Sequence, residues 1–322
     1  MTQNRYENSE DSRKDRRSLG AILKSAASQL LRLVPGTVPL RRDLRDSAWL
    51  SEADAVVVSF PKSGRTFVRA MLARLYQRRF GIDERGLLEF PMLRRAPADA
   101  PRVLFTHAGD AMRSPKDIRI DPSDYSHAKL VLIARHPGDI AVSRYFHLKH
   151  RSRDPARREL TEQPLERFIW TDSGGIPSIV AFLNQFARVP GVTIIRYADF
   201  VNEPEVALQR LAKAIGLEVT REDIADAVQF ASLPNLKARE KEGYFTSARL
   251  RPSRRGDEKS GKVRSGAVGG YRDLPADSVA KIDSYVRDNL DRSLGYSSVR
   301  TRTASPMSRN KRKGAQAAKN GG

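Results

Sequence analysis

The chain contains no cysteine. That absence excludes a disulfide framework, a thiolate nucleophile and any zinc or iron–sulfur site built on cysteine. Aromatic residues are sparse, at 7% with two tryptophans. Long apolar runs are also missing: runs such as Leu130 to Ala134 are strand-sized, whereas a membrane-spanning helix needs about 20 consecutive apolar residues. Acid is the scarcer charge, with 38 Asp and Glu against 58 Lys and Arg, so the 322 residues carry a formal net charge of +20. Such a molecule concentrates anions at its surface, and a negatively charged partner is the first expectation. The first 18 residues mix Glu7, Glu10, Asp11 and Asp15 with bases, and the apolar stretch after them is interrupted by Lys24 and serines. This is unlike a secretory signal peptide, and the expected location is the cytoplasm.

What is present is a chain with 39% hydrophobic residues, enough to bury a sizeable core. Its excess charge is unevenly placed. Residues 1–46 hold 10 basic and 6 acidic side chains, residues 237–264 hold 10 and 4, and residues 296–322 hold 7 basic and no acidic ones. The central body is nearly balanced, as an ordinary globular domain would be. The pattern predicts a disordered polar segment over 1–18 and a basic amphipathic helix over 19–36, built on Leu19, Ile22, Leu23, Ala26, Leu30 and Leu33 and stopped by Pro35-Gly36. A domain follows over 50–295 with a mobile basic flap at 237–264, and then a disordered basic tail over 296–322. The helix either packs on its own domain or makes reversible peripheral contact with an anionic membrane surface.

Four apolar runs, Ala55 to Ser59, Val103 to Thr106, Leu130 to Ala134 and Val192 to Tyr197, are rich in Val, Ile and Leu without polar alternation, as strands covered on both faces are. Helical patterns at 66–79, 138–150, 164–170, 176–188, 203–215, 221–229 and 275–290 alternate with them or follow. This order predicts an α/β fold with a doubly wound, mainly parallel sheet flanked by helices. Ligands of such sheets lie beyond the carboxyl ends of the strands.

The first of those ends reads Ser59-Phe60-Pro61-Lys62-Ser63-Gly64-Arg65-Thr66-Phe67 and runs into a helix. A strand, a turn and a helix N-terminus make an anion site from backbone N–H groups and the helix dipole. Gly64 permits close approach, Lys62 supplies a cation, and the Ser63 and Thr66 hydroxyls supply donors. A Walker A loop would place its lysine after the second glycine, and here the lysine precedes the glycine. The segment Phe60 to Phe67 instead resembles the 5′-phosphosulfate loop, [YF]-P-K-[SA]-G-[TS]-[TS]-W, of the sulfotransferases that use 3′-phosphoadenosine-5′-phosphosulfate (PAPS). Arg65 stands at a hydroxyl position of that loop and Phe67 at its tryptophan, where an aromatic face is retained.

Later segments resemble the same family in the same order. Arg135 to Ser143, Arg-His-Pro-Gly-Asp-Ile-Ala-Val-Ser, is similar to its 3′-phosphate segment, where an arginine ends a strand and a serine follows in the next helix. Pro101 to His107 resembles the strand that ends in Thr-His, whose histidine is the general base, with Phe105 in place of a family lysine. Tyr197 and Asp199 match a Tyr-x-Asp strand end, Ser232 falls in a segment that loosely matches an adenine contact, and Arg264-Ser265-Gly266 resembles the start of an Arg-Lys-Gly motif that holds the 3′-phosphate.

The resemblance implies a P-loop-like enzyme that transfers a sulfonate from PAPS to an acceptor hydroxyl or amine, with no metal. Lys62 and His107 would be catalytic. Lys62, Ser63, Gly64, Arg65, Thr66, Phe67, Arg135, Ser143, Tyr197, Ser232, Arg264, Ser265 and Gly266 would bind the nucleotide. The acceptor class, whether small molecule, saccharide or lipid, is left open, with walls expected at Phe80 to Arg95, Arg151 to Gly175 and the flap. Nucleic acid is not required. Two other readings stand beside this one: a P-loop kinase or phosphotransferase, and a non-catalytic module that binds nucleic acid or anionic surfaces through the basic tails.

Overall fold

A computed structural model describes residues 48–109, 111–152, 154–250 and 268–296. The expected segments at 1–18 and 19–36, the tail from residue 297, and Arg264, Ser265 and Gly266 lie outside the described residues. The four apolar runs form β1 (Ala55–Val58), β2 (Val103–Thr106), β3 (Lys129–Ala134) and β4 (Thr193–Arg196). They make one parallel sheet in the order β2-β1-β3-β4. Because strand side chains alternate, Ala55, Val57, Val103, Phe105, Val131 and Ile133 point into one buried cluster, while Val56, Val58, Leu104, Leu130, Leu132 and Ala134 point into another. Both faces are covered, which is why the runs carry no polar residues at every second position.

The helices divide accordingly. One face is covered by α1 (Arg65–Phe80), α5 (Pro204–Ile215) and α6 (Arg221–Phe230). The other is covered by α2 (Pro137–Arg151), α3 (Ile176–Ala187) and α8 (Ala276–Asn289). The short α4 (Tyr197–Asn202) leads out of β4, and α7 (Leu233–Glu242) follows α6. The chain leaves β1 toward β2 on one side and returns to β3 on the other. The switch point therefore falls between β1 and β3, where the crevice of a doubly wound sheet opens.

Two expectations are corrected. The helical pattern at 164–170 is one short turn, Leu165–Phe168. The segment expected as a flap from residue 237 begins as the second half of α7, and Phe245 and Leu250 beyond it are buried in the core. Residues 237–250 are packed because Leu236, Phe245 and Leu250 give this charged stretch apolar anchors that its charge count conceals. The rest of the expected flap, 251–264, lies outside the described residues.

Candidate phosphonucleotide and catalytic site

Between β1 and α1 the chain turns through two residues with positive φ, Lys62 at 79° and Gly64 at 85°. For a lysine that conformation costs roughly 1–2 kcal/mol, and it holds the turn tightly coiled over the helix end. Gly64 is the N-cap of α1, no side chain caps the helix, and its first turn contains no acid. A helix start left in this way favours an anion. Ser63 is fully buried at the same turn, and its hydroxyl has no hydrogen-bond partner among the described residues; the same is true of Ser59. Buried hydroxyls are normally partnered, so an orphaned one beside an uncapped helix start fits a bound phosphate or sulfonate group.

The carbonyls of this turn organise two of the expected site residues. His107 follows β2, and its Nδ1 lies 2.6 Å from the Ser59 carbonyl. A carbonyl only accepts, so Nδ1 carries the hydrogen and Nε2 is left with the lone pair a general base requires. The chain leaves His107 through Ala108 and Gly109, both at positive φ, and the Ala108 N–H donates to Thr106 Oγ1. Arg135, at the end of β3, donates from Nη1 to the Lys62 carbonyl at 2.8 Å. Its guanidinium lies 4.6 Å over the Tyr197 ring. Arg135 also stands near Asp139, but loosely: the groups are 3.9 Å apart and both are largely buried.

Tyr197 opens α4 and is buried, which raises its phenol above the ordinary value against the pull of Arg135. Its ring packs edge-on against Phe67 and fills the place where a Cβ on Gly64 would stand. Gly64 is thus required twice, by its backbone angle and by this ring. Ser143 is half-buried on the second turn of α2, one turn beyond Asp139 and on the same face.

Lys62 to Phe67, His107, Arg135 and Tyr197 accordingly share one edge of the sheet. Ser232 does not visibly join them: it is the N-cap of α7, and its neighbour Phe230 shares a cluster with Phe67. His136 is buried rather than turned toward a ligand. It caps α2 by accepting from the Gly138 N–H and stacks on Tyr271 at 4.3 Å. Burial pushes its imidazole down to about 4. His147 and His150 gather no metal set, since no group of three or more His, Cys, Asp or Glu among the described residues is arranged to hold an ion.

Sequence reasoning missed two residues. Asp139 accepts hydrogen bonds from the backbone N–H groups of Gly269 and Tyr271, but in the sequence it is one more acid in the first turn of a helix. Arg69, buried in α1, donates to the Leu87 and Leu88 carbonyls at 2.8 Å each and lies over Phe105, the residue in place of the family lysine. Leu87 and Leu88 both have positive φ, so this buried fork holds a strained segment.

A parallel sheet with an uncapped, glycine-bearing strand-to-helix turn at its switch point defines an α/β protein that binds a phosphorylated ligand. The particular family is the sulfotransferase domain, which matches residues 52–294, and the chain belongs to it. Its relatives include cytosolic sulfotransferase 3 of Arabidopsis thaliana, 25% identical over 74% of this chain and 77% of the relative. Another is the 3-alpha-hydroxysteroid sulfotransferase of Cavia porcellus, 21% identical over 79% and 88%. A crystal structure of a mouse sulfotransferase complexed with PAP has the same fold, with a TM-score of 0.52 and 17% identity over 76% of this chain and 86% of that one. The chain is therefore a sulfotransferase and not a P-loop kinase or a non-catalytic binding module.

Proposed function

We propose that the protein transfers a sulfonate from PAPS to the hydroxyl, or less favourably the amine, of an acceptor, with His107 as general base and Lys62 and the turn after β1 as the phosphosulfate cradle. The observation that carries this reading is that one turn serves both ends of the reaction: the Ser59 carbonyl sets the His107 tautomer, and the Lys62 carbonyl holds Arg135. The donor, when bound, supplies the sulfonate and leaves as adenosine 3′,5′-bisphosphate. Nε2 of His107 takes the proton from the acceptor, which sharpens its oxygen as a nucleophile. The Lys62 ammonium and the N–H groups of Ser63 to Thr66 stabilise the negative charge that grows on the leaving phosphate. Arg65 adds a cation where relatives of this loop carry a hydroxyl, and Phe67 and Tyr197 offer ring faces near the turn. Arg135 offers a planar fork to the 3′-phosphate, joined by Ser143 and by Arg264, Ser265 and Gly266. Ser232 is assigned to the adenine end.

This chemistry uses cationic side chains in place of a metal. The acceptor is a small molecule, a saccharide or a lipid, and the steroid named for one relative supports the small-molecule class. We place the protein in the cytoplasm, consistent with the relatives named cytosolic and with the absence, among the described residues, of a helix long and apolar enough to cross a membrane. The test is His107→Ala, assayed with PAPS and a panel of phenols, sugars and sterols. A loss of at least about a hundredfold in kcat with bisphosphate binding intact is expected. Near-normal turnover would remove His107 from the reaction.

A further inference from the structure

We infer that the acceptor carries an anionic group, a carboxylate, sulfate or phosphate, beside its reactive hydroxyl or amine, and that Arg69, helped by Arg65 and Arg249, selects it. The inference deepens the proposed sulfonate transfer and rests on it. Arg69 stands in α1 and is 2% exposed. Its Nε and Nη2 donate to the Leu87 and Leu88 carbonyls at 2.8 Å each, and its third nitrogen, Nη1, makes no hydrogen bond among the described residues. The guanidinium lies 4.6 Å over the Phe105 ring. Phe105 and His107 are two positions apart at the end of β2, so their side chains leave the same face of the sheet.

The sheet order separates this place from the nucleotide. Arg135 and Tyr197 follow β3 and β4, on one side of β1, while Phe105 and His107 belong to β2 and its end, on the other. Arg65 begins α1 at the turn after β1, and Arg69 lies one helical turn, about 6 Å, further along the same helix face. Arg249 comes from the segment strapped to the same loop: its N–H donates to Ser247 Oγ at 3.3 Å, and Ser247 Oγ donates to the Glu89 carboxylate at 2.8 Å. Burial lowers the Arg69 guanidinium from its ordinary value, Arg249 and Arg65 lower it further, and Glu89 opposes them. Three guanidinium groups beside one carboxylate repel one another, and a bound oxyanion relieves that repulsion. With the turn at Lys62 to Thr66 assigned to the donor, the surplus of positive charge on the His107 side is left for the acceptor.

The experiment measures kcat/KM at saturating PAPS for matched acceptors, phenol against para-hydroxybenzoate and para-hydroxyphenyl phosphate, and glucose against glucuronate. It uses the full chain as wild type and as Arg69→Met. Wild type should prefer the anionic member by about tenfold or more, the size of one charge-assisted hydrogen bond. Arg69→Met should lose most of that preference with bisphosphate affinity unchanged. A merely structural Arg69 would weaken both members of a pair alike, so an unchanged ratio overturns the inference, as does a wild type that treats the two members equally. A fall in bisphosphate affinity with the ratio intact assigns the arginines to the donor and overturns it too. Should Arg69→Met not fold, Arg249→Gln, at an exposed position, decides: the ratio should fall about threefold, and no fall overturns the inference. If no acceptor of either kind is sulfated, sulfonate transfer is what fails, and calorimetry of the same acceptors with the bisphosphate-saturated enzyme then decides the inference. Tighter binding of the anionic members sustains it, and equal or absent binding overturns it.

Discussion

His136 shows how one side chain reports on its surroundings. It caps α2 and lies between Tyr271 and Tyr296, with Asp139, Asp283, Arg135 and Arg272 as its charged neighbours. Burial outweighs the two carboxylates and lowers the imidazole from its ordinary value near 6.5 to about 4. The unfolded chain therefore takes up a proton below about pH 6.5 that the folded one refuses until about pH 4, and stability falls as pH drops through that window. The whole effect is on the order of 3 kcal/mol. Asparagine is a good N-cap and does not titrate, so His136→Asn should lack this component. Denaturant unfolding from pH 7 to pH 4 should show wild type losing ground to the variant, and parallel curves would refute the assignment. The histidine is visible in the sequence beside Arg135, but its burial is not, because the ring that covers it comes from residue 271.

At the scale of elements, the loop expected to wall the acceptor is tied to the turn after β1 through α1. Arg69 holds the carbonyls of Leu87 and Leu88, and the same loop is strapped from the other side: Thr246 and Ser247 donate to the Arg85 carbonyl, Ser247 Oγ donates to Glu89 and the Tyr244 hydroxyl donates to Glu84. Burial lowers the Arg69 guanidinium from its ordinary value, and the two carbonyls supply the contacts it needs to stay charged. Arg69→Met fills the same space but leaves two buried carbonyls without a donor, which should cost about 3 kcal/mol. If this loop lines the acceptor, the variant should also raise the acceptor KM while bisphosphate affinity is unchanged. Calorimetry beside steady-state kinetics separates the two, and an unchanged KM would detach the loop from acceptor binding. The strands and the long helices other than α7 were legible within a residue or two, because apolar runs and helical spacing are local properties. The packing of residues 237–250 was not legible, because three apolar residues decide it against a majority of charged and polar ones.

For the whole molecule, the proposed site joins residues from the ends of all four parallel strands, so a ligand that spans them should stabilise the entire domain. Adenosine 3′,5′-bisphosphate at a hundred times its dissociation constant should add about 2.7 kcal/mol to stability. The thermal midpoint should rise by several degrees, with ATP and magnesium producing a smaller rise, and a larger response to ATP would contradict the nucleotide assignment. The sequence by itself determined the parallel α/β architecture, the strand-to-helix turn at Lys62 to Thr66 and the places of His107 and Arg135 at strand ends, since each depends on neighbours a few positions away. Only the tertiary structure decided that Ser59 orients His107, that Lys62 holds Arg135 and that Asp139 moors Gly269 and Tyr271. Those pairs lie 48, 73, 130 and 132 residues apart. No local period encodes such distances; they are set when two apolar faces of one sheet are covered and the strand ends are brought to a common edge.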